Sequence, residues 1–164
     1  MKTKLIGLFT PIFLVVTLTS CSNDSSEISA PTPTLITNYS YNSDEFELAR
    51  IINVYRDSIG KSPLEIVNHI SYKSQEHNNY MIQNNVVNHD NFQARANNLI
   101  QVLGAITVAE NIAYNFSTPT ATFASWLNSP NHKKNLDGDY THFGLSITTS
   151  PTAKKYYTTM FIKR

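Results

Sequence analysis

Apolar residues recur along this chain in three rhythms, and each rhythm marks a different kind of segment. From Leu5 to Leu18 they run almost unbroken behind Lys2 and Lys4. From Leu48 they fall at spacings of four, three and four, through Ile52, Tyr55 and Ile59, which is one face of a helix. Ser43 is its expected N-cap, Asp44 and Glu45 fill the first turn, and Gly60 ends it. Pro63 should open a second helix, with Ile66, Ile70, His77 and Met81 near one stripe, running to about Asn84. Phe92 to Leu103 predicts a short helix stopped by Gly104, and Val108 to Phe116 is a β-compatible apolar run. Thr118-Pro119 starts another helix, whose apolar side carries Phe123, Trp126 and Leu127. The period then changes to two: Phe143, Leu145 and Ile147 alternate with His142, Gly144 and Ser146. Ser150-Pro151-Thr152 makes a turn, and Lys155 to Ile162 reads as the returning strand. Helices first and an antiparallel hairpin last predict one α+β domain without internal repeats.

The first apolar run is shorter than the about 20 residues a membrane span needs, and its charged start fits a secretory signal. It ends in Leu18-Thr19-Ser20-Cys21, which resembles the lipobox of bacterial lipoproteins. The expected organisation is a signal peptide at 1–20, a lipidated Cys21 with a Ser/Thr/Pro tether at 21–42, and a folded domain at 43–164. The alternative is a lone cysteine near an ordinary cleavage site. Lipidation implies the cell envelope, with the membrane as partner through Cys21 on an outer-membrane or periplasmic face, open to surface exposure.

Only 15% of the residues are charged, 18 are Asn, and the net charge is +1. Such a chain has no electrostatic footprint for nucleic acid, while an aromatic content of 11% argues against disorder. With Cys21 acylated no thiol remains, so no disulfide supports the core. HExxH, GxSxG, P-loop and paired-Cys signatures are all missing, and with them the usual zinc-protease, esterase, nucleotide and redox readings.

Candidate chemistry rests on five histidines and Glu110. Glu110 interrupts the apolar stretch Val108 to Ala113, where a carboxylate needs partners. His142 lies on the strand face opposite Phe143, Leu145 and Ile147. The plain alternative is that Glu110 caps a helix or pairs with a backbone amide and each histidine is structural. His77, on the apolar stripe of its helix, reads as a hydrogen-bonded core residue, and His69 as solvated. Trp126, Tyr140, Tyr156 and Tyr157 read as packing rather than a ligand platform.

Several segments, taken in order, resemble the CAP superfamily in its bacterial SCP-like or PR-1-like form. They are Leu48 to Arg56, Pro63-Leu64, the helix with His77 and Met81, Asn88-His89, Ala109 to Tyr114, Trp126 to His132 and Tyr140 to Gly144. The resemblance implies an α-β-α sandwich with a small antiparallel sheet between helices. It also implies a cleft lined in eukaryotic members by two His and two Glu, where divalent metal has been seen. By motif, His89 and His142 match the two histidines and Glu110 the first glutamate. The second glutamate position is Ser129, and His132, part of the bacterial pattern, is the nearby candidate to fill the space. Three functions follow. One is a non-enzymatic binding module whose cleft takes a small ligand, lipid, glycan or divalent metal, and it is preferred because no nucleophile is recognisable. Another is a hydrolase with a divalent metal, zinc by its ligand types, on His89 and His142 and with Glu110 as general base. A third is a module that binds another envelope protein, its cleft vestigial.

Overall fold

The structure, a computed structural model, describes residues 33–164; the apolar N-terminal run, Cys21 and the first part of the expected tether lie outside the described residues. The elements are α1 (Ser43–Ser58), β1 (Glu65–Ile66), α2 (Asn68–Asn84), α3 (Phe92–Leu103), β2 (Thr107–Tyr114), α4 (Pro119–Leu127), α5 (Pro130–Leu136), β3 (His142–Thr149) and β4 (Lys155–Lys163). The strands form one sheet in the order β1-β3-β4-β2, which leaves β2 at an edge. β4 is antiparallel to both β3 and β2. The two-residue β1 runs parallel to β3, so the sheet is mixed where a purely antiparallel one was expected.

Alternation along the strands assigns the layers. Phe143, Leu145, Ile147, Tyr157 and Phe161 bury one face against Leu48 and Ile52 of α1, Phe123 and Trp126 of α4, and Leu136 of α5. Met160 and Ile162 on the other face meet Ile70 of α2 and Leu99 of α3. The result is the expected α-β-α sandwich. At Gly144 a Cβ would lie 2.3 Å from the Ser71 amide nitrogen, so glycine lets the α2 backbone rest on β3.

Three local expectations are corrected. The N-cap of α1 is Asn42, not Ser43: Asn42 accepts from the Glu45 amide, and buried Glu45 accepts from the Asn42 amide, a capping box. Helix α2 begins at Asn68, five residues after Pro63, because Glu65 and Val67 donate instead to the carbonyls of Thr141 and Phe143. The pattern also missed α5, a short, mostly polar helix that follows α4 after a two-residue break.

Residues 36–39, expected to belong to the tether at 21–42, contact the folded domain. They form a strap on it: Ile36 N–H donates to His69 Nδ1 at 3.1 Å, Asn68 Nδ2 to the Thr37 carbonyl at 2.7 Å, and the Tyr39 hydroxyl to Glu45 at 2.8 Å. His69, expected to be solvated, is therefore buried, with Nε2 2.7 Å from Asn98 Oδ1. Because Nδ1 accepts, Nε2 carries the proton and donates to Asn98.

Near the C-terminal end of α1, Arg56 is buried and its guanidinium donates to the carbonyls of Ser62, Leu136 and Gly138 at 2.8–3.0 Å.

Candidate functional site

Glu110 sits on edge strand β2 with its side chain 1% exposed. An isolated carboxylate there would be costly, and two basic side chains, one from α3 and one from the loop before it, hold it. Arg95 of α3 makes a two-pronged contact, Nε to Oε2 at 2.9 Å and Nη2 to Oε1 at 2.8 Å. His89 Nδ1 lies 2.8 Å from Oε1. A carboxylate only accepts, so His89 donates from Nδ1 and turns Nε2 outward, on a side chain 54% exposed.

The loop carrying His89 is clamped from several sides. His77 Nε2 donates to the Asn88 carbonyl at 2.8 Å, the Tyr80 hydroxyl to Asp90 at 3.0 Å, and Arg95 Nη1 to the Asp90 carbonyl at 2.7 Å. His77 is the buried, hydrogen-bonded core histidine that its stripe predicted, although its Nδ1 has no partner among the described residues. Burial first, and then the nearby Arg95 charge, push its pKa down.

Helix α5 docks against the same stretch of β2. The Asn111 side chain donates to the His132 carbonyl at 3.1 Å, and Asn135 donates to Asn111 Oδ1 at 2.8 Å and to the Glu110 carbonyl at 3.2 Å. His132 is half-buried beside Trp126, ring centres 6.4 Å apart. Burial lowers its pKa, and the charge of His89 lowers it further, so the two imidazoles feel each other. Ser129, in place of the second glutamate, is the α5 N-cap and makes no side-chain cap bond.

His142 is elsewhere. It lies on β3, with Nδ1 2.7 Å from Thr141 Oγ1, Nε2 accepting from Arg164 at 3.2 Å, and Glu65 at 3.4 Å. The register pairs His142 with Ile162 and Glu110 with Met160, so the two are two strands and two residues apart. Strand spacing and rise then separate their Cα atoms by roughly 12 Å. Of the expected grouping of His89, Glu110 and His142, the first two meet and the third does not, because β4 intervenes. A zinc centre on His89, His142 and Glu110 does not fit either: both Glu110 oxygens are engaged by Arg95 and His89, and His142 is remote. Among the described residues no group of three metal-ligating side chains gathers.

A cavity of about 260 Å³ lies beside this network, lined by His89, Phe92, Val108, Ala109, Glu110 and Asn135. Arg95 is the site residue the sequence reading missed. The signal was present: Phe92, Arg95, Ala96, Leu99 and Leu103 share one helical stripe, and an arginine on that stripe is the partner a buried carboxylate needs.

The fold and this cleft define a CAP-type domain. The chain belongs to the CAP family, the cysteine-rich secretory protein family, whose model matches residues 49–161. Over 56 residues it is 48% identical to the uncharacterized membrane protein YlbC of Bacillus subtilis (strain 168), a match covering 34% of this chain and 15% of that one. Its fold is similar to an outer surface protein from Borrelia burgdorferi, with a TM-score of 0.68 at 19% identity over 79% of this chain and 99% of the other. It is also similar to an extracellular protein containing a SCP domain from Bacillus anthracis str. Ames, with a TM-score of 0.65 at 26% identity over 74% of this chain and 40% of the other.

Proposed function

We propose that this chain is a CAP-domain protein of the cell envelope, held by lipid on Cys21, whose cleft beside Glu110 binds a ligand without turning it over. One observation carries the reading: the Glu110 side chain is 1% exposed and both its oxygens accept from Arg95 or His89, so the carboxylate is turned to these partners and shielded from a water or substrate. A general base must reach the proton it abstracts, and this one is committed to orienting His89. What the cleft presents is His89 Nε2, hydrogen-bond capable, beside the apolar walls of Phe92 and Val108. The outer-surface and extracellular relatives, together with the lipobox-like Cys21, support the envelope location.

The test is native mass spectrometry of the full-length protein purified from membranes, in parallel with His89→Ala. A bound molecule released by His89→Ala supports the reading. Turnover of ester, peptide or glycoside substrates that vanishes in Glu110→Gln would overturn it in favour of the hydrolase.

A further inference from the structure

We propose that the uncovered stretch Thr107–Ala109 of β2 takes up an extended peptide segment of a partner protein as an added strand, with one side chain beside His89 and Phe92 and its neighbour facing Lys134. This rests on the binding reading of the same cleft and names its ligand class.

The argument starts from the ladder. Asn115 N–H donates to the Lys155 carbonyl at 2.8 Å in the register that pairs β2 with β4. Alternation then turns the backbone of Thr107, Ala109, Asn111 and Ala113 toward β4, and that of Val108, Glu110 and Ile112 toward the free edge. Elsewhere this protein covers its outward edge groups with side chains. Trp126 Nε1 donates to the Ile112 carbonyl at 3.0 Å, and Asn135 covers the Glu110 carbonyl. On β3, beyond β1, Ser71 Oγ accepts from Leu145 N–H and Glu45 from Ile147 N–H, at 3.0 and 2.8 Å. Val108 N–H and C=O and Glu110 N–H have no such cover among the described residues. Beside them Ile106 is 72% exposed, where most proteins shield an edge.

Two cavities flank this stretch, one on each face of the sheet. The 260 Å³ cavity lies on the Val108 face, and one of about 870 Å³ lies on the Thr107 face, with Lys134 in its wall. The smaller falls below the roughly 300–1,000 Å³ that encloses a drug-sized ligand, and suits one side chain. A strand added at Val108 alternates its side chains between these two faces. A sugar or lipid offers no matching two-residue repeat of donor and acceptor. The residue entering by Phe92 and Val108 is apolar. Its neighbour is acidic, because Lys133 and Lys163 are paired with Asp137 and Asp139 whereas Lys134 makes no ion pair among the described residues.

The probe is a blocked six-residue peptide alternating leucine and aspartate, titrated into the isotope-labelled full-length protein and followed by NMR. Saturation is expected to slow hydrogen exchange at the Val108 and Glu110 amides and to shift His89, Phe92 and Lys134. Methylating the leucine amides, which would donate to Val108, should weaken binding roughly tenfold, the value of about one hydrogen bond. Val108→Pro removes the outward donor at an edge position that tolerates proline and should weaken binding by a similar factor with the thermal midpoint preserved. Lys134→Glu should weaken it as well. Absence of binding at millimolar peptide, equal binding of the methylated peptide, or unchanged exchange at both amides would overturn the proposal. If the mass-spectrometric experiment still finds a cleft ligand, the binding reading survives that failure; if it does not, both fall.

Discussion

Arg95 and Glu110 form a buried ion pair across the α3–β2 layer boundary, and His89 is the third member that brings it to the surface. Breaking such a pair leaves one charge buried alone. Arg95→Met is therefore expected to destabilise the fold by about 3–5 kcal/mol, read from urea unfolding, and the double variant Arg95→Met, Glu110→Leu to recover a large part of it. Additive losses would mean that the pair is not coupled.

His69 ties the strap to α2 only while Nδ1 is unprotonated. Burial lowers its pKa, with Lys73 pushing the same way and the Asn98 hydrogen bond and Glu76 opposing. A histidine depressed in the folded state contributes stability that is complete above its unfolded pKa near 6.5 and is lost as pH falls below it. His77, His132 and His142 shift in the same direction. Acidification below pH of about 6.5 should thus lower the thermal midpoint and reduce the protection of the Ile36 amide from exchange, relative to its intrinsic rate at each pH. In His69→Gln the pH response of the Ile36 amide should flatten, and an unchanged response would remove His69 from the account.

Gly144→Ala should be severe for its size. The new methyl meets backbone at Ser71, which has no rotamer through which to yield. A loss of about 2–3 kcal/mol is expected from forcing α2 off β3, measured as a fall in the urea midpoint. Alanine tolerated without loss would mean that the two elements are not in contact.

Cys21→Ala should move the protein from the membrane to the soluble fraction. Persistence in the pellet through a carbonate wash would exclude a lipid anchor as the holding force.

The layered fold was readable because its signals are local and redundant. The helical stripe from Leu48 to Ile59, the stop at Gly104, the cap at Thr118-Pro119 and the two-residue period around Phe143 each describe their own segment. What escaped depends on partners distant in sequence. Glu65-Ile66 becomes a strand only because β3 lies beside it, and His69 is buried only because the strap crosses it. The site divides the same way. The interrupted apolar run pointed to Glu110 and the motif to His89, and the structure brings these two side chains together. His142, a polar residue on the alternating strand, looked equally suited, but strand order places β4 between it and the cleft, and one sequence does not reveal strand order.

Arg56 carries a consequence for the order of assembly. Its guanidinium joins the end of α1 to carbonyls 80 and 82 residues further on, at Leu136 and Gly138. A chain emerging N-terminus first has no acceptors at those positions until most of its length is out. Helix α1 therefore stays open-ended until late, and its arginine keeps its hydration shell until then. Contacts this far apart in sequence slow folding. The closing of the α1 end is in this way tied to the arrival of α5 and the turn behind it.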